Sequence, residues 1–332
     1  MSKMIFPLGS LQGFTLLEMA VVVMIVTLLT SVLGSTFSTW IHFRQSLDTQ
    51  SRLEAAEKAL TLAYQADPLD VDEGAGASLG FATGIILPAL ADGTGRCTST
   101  AASFIPVAAY SPDSASRLYL DGYNQPVCIF ITPRLSRSVG GVLLYYHDVA
   151  VVSPGANGHL DSGRCTTGLN ATTGQLALCG DDTGQMIDGY AIALQNVQVT
   201  MARMNRIVQA MQVYFSTRYE ASASRDVSID YFASAGTPAS RWDENGSMPS
   251  SGCSVPMALI QSSGTSPQDL LGLTRADVTD AYGQVMTFDN CSDSVRSPAN
   301  SAVSMQLAPY TVRIQTLLPG KVTLAETAVS QF

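Results

Sequence analysis

Charge is scarce in this chain: 14% of its 332 residues are charged, and 18 basic against 27 acidic side chains leave a formal net charge of -9. That balance, with no run of Lys or Arg anywhere, argues against a phosphate-binding surface, so no direct nucleic-acid binding is expected. Histidine is scarcer still. His42, His147 and His159 are far apart, and none of the six cysteines stands in a C-x-x-C pair, so zinc-ligand spacing is absent. Low polarity also excludes a disordered chain, because 46% hydrophobic residues are enough to bury real cores. Catalytic patterns are missing as well. Gly76-Ala77-Ser78-Leu79-Gly80 has the letters of a nucleophile elbow, but it follows an acidic loop and precedes no helix pattern. The reading is therefore not an enzyme, with no cofactor and no metal.

What is present is concentrated at the N-terminus. The segment MSKMIFPLGSLQG has one Lys and no acid, and from Phe14 to Phe37 the chain runs FTLLEMAVVVMIVTLLTSVLGSTF with Glu18 as its one charge. As a helix, about 24 such residues are long enough to span a bilayer core of about 30 Å. No A-x-A-like site closes the run, so it reads as retained rather than removed as a secretory signal. A carboxylate inside an apolar run is costly unless paired, which makes Glu18 a functional residue by default.

The junction Gly13-Phe14-Thr15-Leu16-Leu17-Glu18 closely resembles the type IV prepilin signature. In that family a peptidase cuts after the Gly, ahead of a Phe, and an acid lies one helical turn along. The resemblance implies cleavage between Gly13 and Phe14, N-methylation of Phe14, and a role in assembly for Glu18, whose carboxylate would meet the Phe14 amine of a neighbouring subunit. It implies as partners a prepilin peptidase/N-methyltransferase, other pilin subunits, an inner-membrane assembly platform and, before assembly, the lipid bilayer. The implied function is a major or minor subunit of a type IV pilus. The alternative is a pseudopilin of a type II secretion or DNA-uptake (competence) system. The implied localisation is the bacterial inner membrane as precursor, then an extracellular pilus or a periplasmic pseudopilus. The family's frequent Pro near the end of the apolar run is replaced here by Gly34-Ser35.

Beyond the apolar run, Trp40, Phe43, Leu47, Leu53, Ala56, Leu60 and Tyr64 recur at helical spacing, and Pro68 closes the pattern. This predicts an amphipathic stem, giving a helix of about 80 Å from Phe14 to Ala66 at 1.5 Å per residue. Apolar runs between Leu118 and Val152, broken by Gly, Pro and Ser, predict antiparallel strands. A second amphipathic helix is expected over residues 188–219, from the stripe Leu194, Val197, Met201, Met204, Val208, Met211, Phe215.

The string D-x-Y-[NG]-Q then occurs twice, at Asp121 and at Asp280, each time with strands following and each time near a helix. The expected fold is α+β: a long N-terminal hydrophobic helix, the pilin spine, packed on antiparallel sheet, with two pilin-like heads in tandem. The expected boundaries are a leader over 1–13, the long helix over 14–66 (assembly segment 14–37, stem 38–66), a first head over 67–183 and a second over 184–332.

An even cysteine count in a Gly/Ser/Thr-rich chain reads as disulfides and an oxidising compartment. Keeping each bridge inside one head or its linker gives Cys97 to Cys128, Cys165 to Cys179 and Cys253 to Cys291. The acids Asp161, Asp181, Asp182 and Asp188 lack EF-hand spacing and read as solvated loop acids rather than a calcium site.

Overall fold

The computed structural model describes residues 16–73, 80–81, 85–86, 94–162, 165–225, 227, 231–232, 254–256, 271–289 and 311–332. The order begins with α1 (Leu16–Ala66), α2 (Pro68–Glu73), β1 (Gly80–Phe81), β2 (Ile85–Ile86), α3 (Ala101–Ala108) and α4 (Ala115–Leu118). Seven strands follow: β3 (Cys128–Ile131), β4 (Leu135–Val139), β5 (Val142–Tyr146), β6 (Val149–Ser153), β7 (Gly168–Leu169), β8 (Leu176–Ala177) and β9 (Thr183–Ile187). Helix α5 (Gly189–Ala221) comes next, with β10 (Ser254–Pro256), β11 (Thr287–Asp289), β12 (Thr311–Leu318) and β13 (Val322–Val329) completing the chain. The class is α+β with small antiparallel sheets.

Two sheets matter. The first has strand order β3-β6-β9 and the second β10-β11-β12-β13, with every pairing antiparallel. Each has its own helix and its own core. Leu53, Ala56, Leu60 and Tyr64 of α1 pack with Val127, Ile129, Val149, Val151 and Ile187 around the first sheet. Met204, Ile207, Met211 and Phe215 of α5 pack with Val312, Ile314, Leu318, Leu324 and Ala328 around the second. β12 shows why: its burial alternates residue by residue, so one face is buried against α5 and the other is only partly covered. Helix α5 starts where expected, because Asp188 accepts a hydrogen bond from the Ala191 amide and caps it.

The halves touch through the hairpin β4–β5. Leu144 joins the second core, with Val139 and Val142 packed against it, although all three belong to the first half in sequence. Gly320, in the turn before β13, has a left-handed φ of 74°, and any side chain there would strike the Tyr145 ring. The hairpin thus lies directly on the second half.

Three expectations need correction. Helix α1 is long, at 51 residues, but it is not the apolar membrane spine expected: no helix of the described residues is long and apolar enough to cross a membrane. Its described apolar stretch, Leu16 to Ser31, spans about 24 Å at 1.5 Å per residue, short of a bilayer core of about 30 Å, and Glu18, Thr27, Thr30 and Ser31 dilute it. The expected localisation, from inner-membrane precursor to extracellular pilus or periplasmic pseudopilus, is corrected with it, since it began from a membrane anchor. Burial of the stem also begins later than its pattern suggests. Trp40, Phe43 and Leu47 are 50%, 62% and 51% exposed, whereas Thr49 and Leu53 are buried.

Candidate assembly surface

The first third of α1 presents apolar side chains on every side. Leu16, Leu17, Val21, Val22, Val23, Met24, Ile25, Val26, Leu28 and Leu29 are all exposed large hydrophobics. A helix apolar all round belongs in a nonpolar setting, because each such side chain loses roughly 1 kcal/mol or more while it stays in water. Its polar residues are already suited to burial. The Thr27 hydroxyl donates to the Val23 carbonyl at 2.9 Å and that of Thr30 to the Val26 carbonyl at 2.8 Å, so neither needs an outside partner. Glu18 sits in the first turn of the described helix. Gly13 and Phe14, the expected cleavage and methylation positions, lie outside the described residues.

Below the exposed stretch, the stem is clamped to its sheet by a polar turn, and the turn is built twice. The Asp121 carboxylate is buried and accepts from the amides of Tyr123 and Gln125, both at 2.8 Å, and from the Ser153 hydroxyl at 2.5 Å. The Asp280 carboxylate does the same with Tyr282 and Gln284, at 2.9 and 2.8 Å, and with the Thr316 hydroxyl at 2.6 Å. Asn124 and Gly283 hold matching left-handed conformations inside the two turns. Each turn is then tied to its helix. The Gly122 amide donates to Thr49 Oγ1 and the Ala281 amide to Thr200 Oγ1, at 3.0 and 3.1 Å. Arg52 donates to the Leu120 carbonyl and Arg203 to the Thr279 carbonyl. Burial pushes both carboxyls upward in pKa, while their hydrogen bonds pull them back.

The constant offset continues along the helices. Leu53, Ala56, Leu60 and Tyr64 match Met204, Ile207, Met211 and Phe215, all buried, at the same spacing as Thr49 to Thr200 and Arg52 to Arg203. Sequence reading found the Asp turns but missed the T-x-x-R pairs on the helices. Comparing the chain with itself at that offset would have found them.

Two disulfides are present, Cys97–Cys128 and Cys165–Cys179, and among the described residues no cysteine is free. Cys253 and Cys291 lie outside the described residues. Asp161, Asp181 and Asp182 each bring a carboxylate oxygen within 4.8 Å of the others, while Asp188 is elsewhere as the cap of α5. Asp182 is not the solvated loop acid expected: it is 6% exposed, its Oδ2 accepts from the Asp161 amide and the Thr167 hydroxyl, and its Oδ1 is buried without a hydrogen bond. Burial raises its pKa, and the two neighbouring carboxylates raise it further. The donor set is hard oxygen, as calcium prefers. Asp181 is partly engaged already by the Ala156 amide, so the cluster also clamps the loop between β6 and β9.

A second buried acid lies between the halves. Asp72 on α2 is fully buried, accepts from the Tyr64 hydroxyl through Oδ1, and leaves Oδ2 without a hydrogen bond. Burial pushes its carboxyl up to about 8, with the Tyr64 bond acting weakly the other way. Its charge is felt by Tyr282 of the second half, whose pKa is also raised mainly by burial. No protein-family profile, curated protein or solved structure matches this chain.

Proposed function

We propose that this chain is a structural subunit of the type IV pilin class that polymerises through α1. The observation that carries the reading is the stretch Leu16 to Leu29, whose large hydrophobic side chains are exposed on every side of the helix. Packing that stretch against the same stretch of other copies removes it from water and makes a helical core with the heads outside. The junction Gly13-Phe14 and the position of Glu18 support cleavage by a prepilin peptidase and methylation of the new terminus. The disulfides support an oxidising environment for the heads. Glu18 acts in register: its carboxylate meets the Phe14 amine of a neighbour when copies pack in line.

Two measurements test this. Intact-mass analysis of the mature chain is expected to give a terminus at methylated Phe14, and retention of residues 1–13 would count against it. Glu18→Ala is expected to leave the heads folded, by circular dichroism and intact disulfides, while abolishing filaments. Normal filaments from Glu18→Ala would refute the pairing.

A further inference from the structure

The two cores meet on the short helix α2. Val71 lies in the first core, Leu69 packs against the second, and the turn Pro319–Lys321 before β13 packs on the same helix. Among these contacts stands Asp72, fully buried. A buried carboxylate persists as an anion only beside a cation or with its oxygens fully hydrogen-bonded. Asp72 has neither. Its Oδ1 accepts from the Tyr64 hydroxyl, its Oδ2 is buried without a hydrogen bond, and among the described residues no cation forms an ion pair with it. The groups around it supply no counter-charge. Tyr64 comes from α1, and its hydroxyl also meets the His147 amide and carbonyl at 3.2 and 3.3 Å, with Asp148 beyond. Tyr145 and Tyr146 stand on β5, which packs on α2, and Tyr282, with Asp280 beside it, comes from the second half. Lys321 lies in the turn packed on α2 but is not paired with Asp72, and the neighbours in sequence, Asp67, Asp70 and Glu73, are all acids.

We propose that Asp72 is a proton-operated latch on the joint between the halves: with its carboxyl neutral, α2 stays seated against both cores, and loss of the proton drives α2 into solvent while the hairpin β4–β5 still holds the halves together. In the neutral form one oxygen serves Tyr64 and no full charge is buried. In the ionised form a charge stands among acids and apolar side chains, and only water can solvate it. The seated state therefore holds the proton and the open state gives it up, so opening grows as pH rises from the ordinary carboxyl range and levels once the seated carboxyl, which burial pushes up to about 8, has itself ionised. This local opening is distinct from unfolding, and it goes beyond the assembly reading and stands or falls without it.

Amide hydrogen exchange on the full chain, corrected for its intrinsic pH dependence, reads the opening at the Asp72 amide. Its protection is expected to fall about tenfold per pH unit from about pH 6.5 to 8 and to level above that, while staying about tenfold or more below that of the Met204–Phe215 amides throughout. The neighbours do not produce that slope. Asp148, which burial pushes up to about 6, is already mostly ionised in this range, Tyr64 and Tyr282 ionise above it, and His147 gains charge only as pH falls. Asp72→Asn keeps the shape without the titration and is expected to make the protection independent of pH. A second readout needs no variant: the carboxyl carbon-13 shift of Asp72 in the unsubstituted chain is expected to be that of the neutral acid at pH 6.5. An ionised carboxyl at that pH, flat protection in the unsubstituted chain, a slope that survives in folded Asp72→Asn, or protection at Asp72 equal to that of Met204–Phe215 would each overturn the proposal.

Discussion

The two halves of this molecule use one plan with different endings. Each puts a helix on an antiparallel sheet, fixes the sheet to the helix with a buried Asp turn, and anchors that turn on a Thr and an Arg three residues apart. They part at the N-terminal end of the helix. Helix α5 begins at its Asp188 cap, whereas α1 continues for several turns as an exposed apolar rod. The shared plan builds the two cores, and on the function proposed above the difference serves association. A further contrast makes the point on a smaller scale. At Gly122 any side chain would collide with the Gln45 carbonyl and Thr49, while the matching position holds Ala281, so the first turn sits closer to its helix than the second.

The comparison breaks most readily in the cores. Leu60→Ala and Met211→Ala remove matched, fully buried side chains and are each expected to cost about 2 to 5 kcal/mol, measured by chemical denaturation. Comparable losses from both would uphold the shared plan, and a loss from one alone would break it. The Asp turns come next. Asp121→Ala and Asp280→Ala each strand two amides and a hydroxyl in a buried place, at a cost of about 3 kcal/mol.

Asp72 sharpens the joint between the halves. Its folded pKa of about 8 lies above the ordinary 3.8, so its contribution is whole below about pH 4 and is lost as pH rises through 8. The expected slope from this group is at most about 1.4 kcal/mol per pH unit across that window. Asp72→Asn is expected to flatten the pH dependence of the melting temperature between pH 4 and 8 and to raise it at pH 8. An unchanged profile would show that the joint is open to water. The smallest effect is expected from Thr49→Val and Thr200→Val, each removing one side-chain acceptor for about 1 kcal/mol.

Much of this was legible from sequence where side chains obey a period. The stripe from Leu194 to Phe215 located α5 to within two residues at either end, and D-x-Y-[NG]-Q marked both turns because a buried turn needs that Asp and a residue tolerant of left-handed φ. The stem was legible only in part. Its apolar period runs without a break from Trp40 to Tyr64, but the sheet reaches α1 only from Thr49 onward, and periodicity carries no information about where a neighbour ends. Asp72 was illegible because DVDE reads as a solvated loop, whereas the short α2 folds back against Tyr64 and buries it. The T-x-x-R pairs were missed since two polar residues on a helix ordinarily face solvent.

The central claim is that the exposed end of α1 is an assembly element, and electron microscopy of the full chain beside Val22→Glu/Ile25→Glu tests it most directly. Both side chains are about half exposed in the single molecule, so the substitutions leave the heads and their disulfides in place. The account predicts filaments from the unsubstituted chain and only dispersed, folded particles from the double variant, because two carboxylates would be buried unpaired in the helical core. Filaments of normal length and number from the double variant would contradict it.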